Sequence, residues 1–138
     1  MAGEPVNYVA MTATMRGRVQ RIVGACDLVV VGPATDFAFT ESRLGLAPAI
    51  ISLTVTPRIT ERAASRYYLT GERFDAAEAE RIGLVTVAAD DARAALDPML
   101  DALRSCSPQG LAETKALPVA PRLADFDERA EALTDLSA

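Results

Sequence analysis

Glu41 is the residue in this sequence that is best placed for proton chemistry. It lies in the stretch TDFAFTESRLGLAPAIIS, residues 35 to 52, where an aromatic and apolar run ends shortly before a turn that contains Gly and Pro. Alternate side chains of an extended segment share a face, so Phe37, Phe39 and Glu41 are predicted to point the same way. A carboxylate among apolar groups has a raised pKa and is able to give and take a proton near neutral pH.

A structural interpretation of Glu41 competes with this chemical one. If the strand ends at Thr40, Glu41 only marks the return of the chain to water, and Arg43 is then a candidate partner that holds the carboxylate charged. Periodicity alone does not decide between the two interpretations. From the local pattern we favour the solvated strand end.

The composition excludes several kinds of catalytic site. Histidine is absent from all 138 residues, which excludes Ser/His/Asp and Cys/His nucleophiles and histidine-ligated zinc. Proton chemistry must therefore use carboxylates, Tyr, Lys or Cys. Cys26 and Cys106 lack the paired spacing of a disulfide framework or a zinc site, so both are expected to be reduced thiols, with Cys26 in the core.

Overall charge and hydrophobicity indicate one soluble domain. A hydrophobic content of 50% is enough to bury a core, and the formal net charge of -5 argues against a general affinity for nucleic acid. No run approaches the ~20 apolar residues that cross a bilayer, and the N-terminus lacks the pattern of a signal peptide. We therefore expect a cytoplasmic protein that binds no membrane.

The elements that must position Glu41 are predicted to be short strands followed by helices. The apolar run 27–32 predicts a strand buried on both faces, and a second short strand is expected over residues 37–41. Asp75 and Glu78 form a predicted capping box. Helices are predicted over 56–71, 75–83, 90–104 with a kink or restart at 97–98, 107–117, and from 122 onward with Leu123, Phe126, Ala130 and Leu133 on one face.

The first 21 residues differ from the rest. They show no clear period and carry Arg16, Arg18 and Arg21 against Glu4, a charge of 3 - 1 = +2. We expect an irregular leader there.

Family-specific motifs occur in three stretches of the chain: GACDLVVVGPATDFAFTESRLGLAPAIIS, RAASRYYLTGERFDAAEAERIGLVTVAA and SPQGLAETKAL. In order and spacing they resemble the C-terminal half of the crotonase family, the enoyl-CoA hydratase/isomerase superfamily, from about Ile22 to the end. The resemblance implies an α/β fold, the ClpP/crotonase-like ββα spiral, here as a truncated C-terminal portion. Residues 1–21 would be a non-matching leader and 22–138 the C-terminal part of the domain.

The resemblance also implies an activity and its site. Family members assemble as trimers or hexamers, bind acyl-CoA thioesters and use glutamates to move water and protons. Glu41 matches the second of the two catalytic glutamates, as acid/base. Thr40, Pro48 and Ala49 are expected to contact substrate. No metal or redox cofactor is expected, because CoA arrives as part of the substrate.

Two departures from the family pattern affect the expected activity. The first catalytic glutamate of the family matches Arg21, and the oxyanion-hole glycine matches Arg18, or Gly17 after a one-residue slip. The other oxyanion donor belongs to the N-terminal half of the family's domain. Because losing one such donor costs ~10²–10³ in rate, we expect the isolated chain to be a slow enzyme, and a truncated or frame-altered gene product is a further hypothesis.

The function expected from these residues is hydration of a 2-enoyl-CoA thioester. A non-catalytic remnant that only assembles or binds acyl-CoA is the alternative from another class, and an isomerase or thioester hydrolase on the same scaffold is a third. Tyr67 and Tyr68 are predicted to be core residues, with contact to an acyl chain or a partner subunit as the alternative. Lys115 and Arg122 are predicted to lie on a solvated face.

Overall fold

The computed structural model describes residues 6–11 and 18–124. Within them, two 3₁₀ turns occupy Glu41–Leu44 and Thr56–Arg58. The strands and helices, in chain order, are β1 (Tyr8–Met11), α1 (Arg18–Ala25), β2 (Leu28–Val31), β3 (Asp36–Phe37), α2 (Ala49–Val55), α3 (Glu61–Thr70), β4 (Phe74–Asp75), α4 (Ala76–Ile82), β5 (Val87–Ala88), α5 (Ala92–Arg104) and α6 (Pro108–Ala124).

The apolar run near the start forms the central strand of a parallel sheet in the order β1-β2-β5. β1 pairs along all of β2, from Tyr8 opposite Leu28 to Met11 opposite Val31. The three valines at 29–31 are at most 2% exposed, which confirms the prediction of a strand buried on both faces. The fold is therefore mixed α/β, as expected.

A second, two-stranded sheet brings the aromatic residues together. β3 and β4 are antiparallel, with Phe37 opposite Phe74 and their rings stacked 5.5 Å apart. Phe39 and Tyr67 pack on Phe74, with ring centroids 5.7 and 4.2 Å away. With Tyr68, which meets Phe39 edge-on, these five side chains form the aromatic cluster of the core.

The segment predicted as an irregular leader contains regular structure. β1 lies within it, and α1 begins at Arg18. The local pattern does not reveal β1, because its four residues are ordered by pairing with a strand twenty positions later. The domain boundary at Ile22 stays a prediction.

The helix around Tyr67 begins later than predicted. Thr56–Arg58 forms a 3₁₀ turn, and α3 starts after Thr60, whose side chain accepts from the N–H of Ala63. The Thr-Pro pair resembled a cap and first turn, but the regular helix uses the next threonine. Gly71 ends α3 at a φ of 62°, as predicted.

Only one of the two hydrogen bonds of the predicted capping box forms at the start of α4. The Asp75 carboxylate accepts from the N–H of Glu78 at 2.8 Å. The Glu78 side chain does not reach back to complete the capping box, because Tyr67 and Arg81 engage it. Gly83 ends α4 at a φ of 95°, where an added Cβ would lie 2.4 Å from the Arg58 carbonyl oxygen.

The C-terminal helices differ from the predicted ones in two ways: α5 begins two residues later and does not restart at Pro98, and α6 is longer than predicted. α5 runs through Pro98 from Ala92 to Arg104, and α6 continues past Leu117 to Ala124. The predicted face of Phe126, Ala130 and Leu133 lies outside the described residues. No helix in the described ranges has the length and apolar content that a membrane crossing requires.

Candidate active site

Glu41 begins a tight turn and does not belong to a strand. β3 ends at Phe37, because β4 offers partners to two residues only, and the 3₁₀ turn follows after three connecting residues. Gly45 closes the turn at a φ of 74°, with its N–H facing the carbonyls of Glu41 and Ser42. The prediction that a strand extends to Glu41 is therefore wrong.

The C-terminal end of α3 holds this turn in place. The Ser42 hydroxyl donates to the carbonyl of Leu69 at 3.3 Å, and Nε of Arg43 donates to the carbonyl of Thr70 at 3.1 Å. The last carbonyls of a helix have no partner within it, so these side chains satisfy them. Arg43, the candidate partner of Glu41, is thus engaged by α3.

A buried glutamine supports the segment just before Glu41. Gln20 in α1 is 0% exposed, and its Nε2 donates to the carbonyl of Ala38 at 2.8 Å. α1 also packs closely on α2, since a Cβ on Gly24 would lie 2.8 Å from the backbone carbonyl of Thr54. These contacts fix the backbone that leads to Glu41 and the position of α2.

One carboxylate oxygen of Glu41 is buried and has no hydrogen-bond partner within the described part of the chain. The side chain is half-buried, and the buried atom is Oε2. An unpaired buried polar atom costs about 1–3 kcal/mol, so it needs an explanation. The solvated strand end favoured from the local pattern does not describe this oxygen. It is able to accept a hydrogen bond from a molecule that reaches it.

An apolar groove of about 360 Å³ lies beside this turn. Pro48 and Ala49, two of the predicted substrate contacts, are in its wall. Thr40 is exposed and outside the lining, and Glu41 adjoins the groove through its neighbour Ser42. The residues that line the apolar groove are Ser42, Leu46, Ala47, Pro48, Ala49, Ser52, Tyr68 and Leu69.

Tyr68 lines the groove, and contact with an acyl chain was the alternative to its predicted core position. Helical spacing predicted a core position, but Tyr68 is half-buried and its hydroxyl lies 2.8 Å from Oγ1 of Thr56. Burial raises the pKa of Tyr68, the Thr56 hydrogen bond opposes this, and the negative charge of Glu41 adds to the rise. The Leu-Thr-Gly motif that ends α3 could have indicated this position, because the carbonyls of Leu69 and Thr70 bind the turn that begins at Glu41.

Tyr67 points to a different surface. Its ring is 3% exposed, and its hydroxyl donates to Oε1 of Glu78 at 2.6 Å. Burial and this hydrogen bond raise the pKa of Tyr67 to about 12. Hydrogen bonds from Arg81 and Tyr67 lower the pKa of Glu78 to about 2. The prediction of a core position for Tyr67 is confirmed.

Two residues near the start of β2 have structural roles. Cys26 is half-buried against the core, and burial raises the pKa of its thiol, as suits a packing residue. Lys115 on α6 lies 2.9 Å from a carboxylate oxygen of Asp27, with 14% of its side chain exposed. The predicted solvated position of Lys115 is therefore wrong, because its ammonium group pairs with Asp27, which precedes β2.

The positions where the sequence departs from the family pattern lie on or before α1. Arg21 is exposed on that helix, Arg18 is its first residue, and Gly17 lies outside the described residues. The described residues contain no group of three or more Cys, Asp or Glu side chains arranged to hold a metal ion.

Known proteins share both the sequence pattern and the fold. A family model described as enoyl-CoA hydratase/isomerase matches residues 12–115. The cyclohexa-1,5-dienecarbonyl-CoA hydratase of Thauera aromatica is 32% identical over 87 residues, which are 63% of this chain and 34% of that protein.

Solved structures extend the match to nearly the whole chain. An enoyl-CoA hydratase from Mycobacterium avium is 52% identical, with a TM-score of 0.89, over 94% of this chain and 52% of that one. An enoyl-CoA hydratase from Shewanella pealeana is 34% identical, with a TM-score of 0.74, over 93% and 49%. The chain thus spans about half the length of these structures and shares their crotonase fold. On these matches, the chain belongs to the enoyl-CoA hydratase/isomerase family.

Proposed function

We propose that this protein adds water to the double bond of a 2-enoyl-CoA thioester, with Glu41 as the acid/base. The observation that carries the proposal is the unpartnered Oε2 of Glu41 beside an apolar groove, in a member of this family. Relatives from Thauera aromatica and Mycobacterium avium are named as hydratases, which supports the same reaction type here.

In the proposed reaction, Glu41 takes a proton from a water molecule as the water oxygen bonds to the β-carbon. The electrons of the double bond move toward the thioester and form an enolate, and Glu41 then delivers a proton to the α-carbon. A carboxylate with one oxygen free of hydrogen bonds is suited to hold the water. The reaction needs no metal or redox cofactor, because CoA enters with the substrate.

The apolar groove is the proposed place of the acyl chain. Its volume of about 360 Å³ suits a short or branched chain. Pro48 and Ala49 would contact that chain, and Thr40, which precedes Glu41, would meet the substrate at the edge of the site. The enolate needs N–H donors, one of which the resemblance assigns to the region of Gly17.

We also propose a homo-oligomer, a trimer or hexamer, in the cytoplasm with a role in fatty acid metabolism. Support for self-association comes from apolar side chains that remain exposed around the groove. Leu44 is 73%, Leu46 53%, Ile50 55% and Leu69 77% exposed. A surface of this kind is typical of an interaction site.

The test is loss of enoyl-thioester absorbance when the purified chain meets crotonyl-CoA. We expect Glu41→Gln to lower kcat by at least about 100-fold, with an unchanged circular dichroism spectrum. Glu61→Gln, at an exposed glutamate at the start of α3, is the matched control and should retain activity.

Other outcomes identify the alternatives. A folded chain that binds crotonyl-CoA without turnover would support the non-catalytic binding module. Release of free CoA would identify a thioester hydrolase, and a shifted double bond in a longer enoyl chain would identify an isomerase. Equal activity of Glu41→Gln and the parent chain would contradict the assignment of Glu41.

A further inference from the structure

A second groove, of about 440 Å³, runs along α3 and differs from the apolar groove in its charge. Its wall holds Arg62 and Arg66 of α3, Arg81 of α4 and a single acidic residue, Glu78. We call it the arginine groove. Its lining thus carries three positive charges against one negative charge, in a chain whose formal net charge is -5.

Two of the arginines meet at Tyr67, whose buried ring lies under the arginine groove. The guanidinium carbon of Arg66 lies 5.2 Å from the centroid of that ring. Arg81 donates from Nη2 to Oε1 of Glu78 at 2.6 Å, and the Tyr67 hydroxyl donates to the same oxygen at 2.6 Å. Arg62 precedes Arg66 by four residues, so the two are neighbours on the surface of α3. The three guanidinium groups therefore share one wall.

The arginine groove is rich in free donors and poor in free acceptors. Glu78 accepts hydrogen bonds on both carboxylate oxygens. Arg66 uses only Nε, toward Glu72, which is outside the lining, and Arg81 leaves Nη1 unused. Arg62 has no partner within the residues that the structure describes. The side chains of Arg66 and Arg81 are 61% and 69% exposed, so a ligand has access to them.

A ligand that fits this groove must bring negative charge and several acceptor oxygens. A phosphate group supplies both, with a charge of about -1.5 to -2 at pH 7. The planar guanidinium group of arginine pairs with phosphate oxygens through two N–H groups at once. A volume of about 440 Å³ is in the range of sites for small molecules. The arrangement therefore favours a small phosphate compound.

We propose that the arginine groove binds a phosphate group, with Arg62 as the main contact and Arg66 and Arg81 beside it. This inference does not depend on the proposed function. Two sources of the phosphate group fit the structure: the CoA part of a thioester, or a separate phosphate compound. CoA is included because Leu69 lines both grooves, so the arginine groove adjoins the apolar groove there.

The test measures the binding of inorganic pyrophosphate by calorimetry at low ionic strength. Arg62→Gln should weaken binding about 3- to 10-fold. Arg62→Lys should weaken it less, because lysine keeps the charge but loses the planar group. Arg93→Gln is the matched control, since Arg93 is an exposed arginine of α5 outside the groove, and it should bind pyrophosphate as the parent chain does. Circular dichroism checks that each variant is folded.

A further variant should change binding in the opposite direction. Glu72→Gln weakens the ion pair that occupies Nε of Arg66, so pyrophosphate should bind about 2-fold more tightly. A loss of fold or a general weakening of the surface would not produce tighter binding. Unchanged or weaker binding by folded Glu72→Gln would remove Arg66 from the site and contradict the proposed set of contacts.

Competition identifies the source of the phosphate group. CoA and pantetheine, which lacks the phosphates, are titrated into the parent chain and Arg62→Gln. If the phosphate belongs to CoA, Arg62→Gln weakens CoA but not pantetheine, and pyrophosphate displaces CoA. If it belongs to a separate compound, pyrophosphate binds equally with and without CoA, and Arg62→Gln leaves the binding of CoA unchanged. Either result supports the site.

Two results would overturn the inference. One is a folded parent chain that does not bind pyrophosphate at low ionic strength. The other is equal weakening by Arg62→Gln and Arg93→Gln, which would show a response to net charge alone. The proposed function is judged separately: a chain that hydrates crotonyl-CoA but binds no pyrophosphate contradicts only the phosphate site, and a chain that binds pyrophosphate but hydrates no thioester contradicts only the proposed function.

Discussion

Tyr67 and Tyr68, which are adjacent in α3, point to two different surfaces, one charged and one apolar. Tyr67 joins a charged network in which Glu78 accepts from the tyrosine and from Arg81. Tyr68 faces the apolar groove, next to Glu41, whose Oε2 has no partner in the described structure. Neighbouring residues of one helix point about 100° apart, so the same helix serves both surfaces.

The difference separates a carboxylate that stabilises the folded chain from one whose buried oxygen has no partner among the described residues. Glu78 receives hydrogen bonds on both carboxylate oxygens, so its charge is compensated in the folded chain and it ties α4 to α3. Glu41 is half-buried with one oxygen uncompensated, which costs stability in the absence of a ligand. A site of the second kind is where function is expected.

The largest expected effect comes from removing a buried ring of the aromatic cluster that lies beneath both surfaces. Phe39 is 0% exposed and contacts Tyr68 and Phe74, and Phe74 in turn packs on Tyr67. Phe39→Ala should lower the free energy of unfolding by about 3–5 kcal/mol, because it opens a cavity beside Tyr68 and Phe74. Urea denaturation measures this.

A control on the surface makes that result specific. Leu117 is 76% exposed on α6, so Leu117→Ala should change the free energy of unfolding by less than about 0.5 kcal/mol. A similar loss in both variants would show that the aromatic cluster has no special place in the core.

The next effect contrasts the two glutamates directly. Glu78→Gln should destabilise the chain by about 0.5–1.5 kcal/mol, since it weakens the hydrogen bonds from Tyr67 and from Arg81, whose side chain is 69% exposed. Glu41→Gln removes no hydrogen bond of Oε2 and should be neutral or slightly stabilising. Urea denaturation of both variants at neutral pH checks the contrast, and equal losses would contradict it.

The same contrast should depend on pH. The pKa of Glu78 is lowered to about 2 in the folded chain from its ordinary value of 4.5. Its contribution is therefore fully present above pH 4.5 and is lost as the pH falls through about 2. The stability difference between the parent chain and Glu78→Gln should narrow over this range in denaturation series. A constant difference down to pH 2 would contradict the assigned network.

The smallest effect on stability is expected in the groove wall. Leu46 is 53% exposed, so Leu46→Ala should change the free energy of unfolding by less than about 0.5 kcal/mol. If the acyl chain lies in the groove, binding of butanoyl-CoA should still weaken by about 3- to 10-fold, as for the loss of buried methylene contacts. Calorimetry provides the measurement, and unchanged binding would place the acyl chain elsewhere.

Several elements could be predicted from the sequence because their causes are local. The apolar run 27–32 predicted β2, Asp75 predicted the start of α4, and Gly71 and Gly83 predicted where two helices end. Each depends on an unbroken hydrophobic run, a capping side chain or a positive φ, which nearby residues decide.

Other predictions failed because a distant contact competed with the local pattern. Thr56 resembled a helix cap but binds the Tyr68 hydroxyl, and Glu78 resembled half of a capping box but binds Tyr67 and Arg81. Lys115 resembled a solvated residue but lies against Asp27. In each case one partner, Tyr68, Tyr67 or Asp27, comes from another part of the chain.

The sequence by itself determined the family, the α/β class and the choice of Glu41 as the candidate acid/base, since these depend on motifs and on residue types. Only the tertiary structure decided the environment of that carboxylate. Contacts between segments about 27 residues apart fix the turn after β3, because Ser42 and Arg43 hydrogen-bond to the end of α3. The same contacts place Tyr68 on the groove. Burial of an oxygen and the absence of a hydrogen-bond partner are properties of packing, which local spacing does not encode.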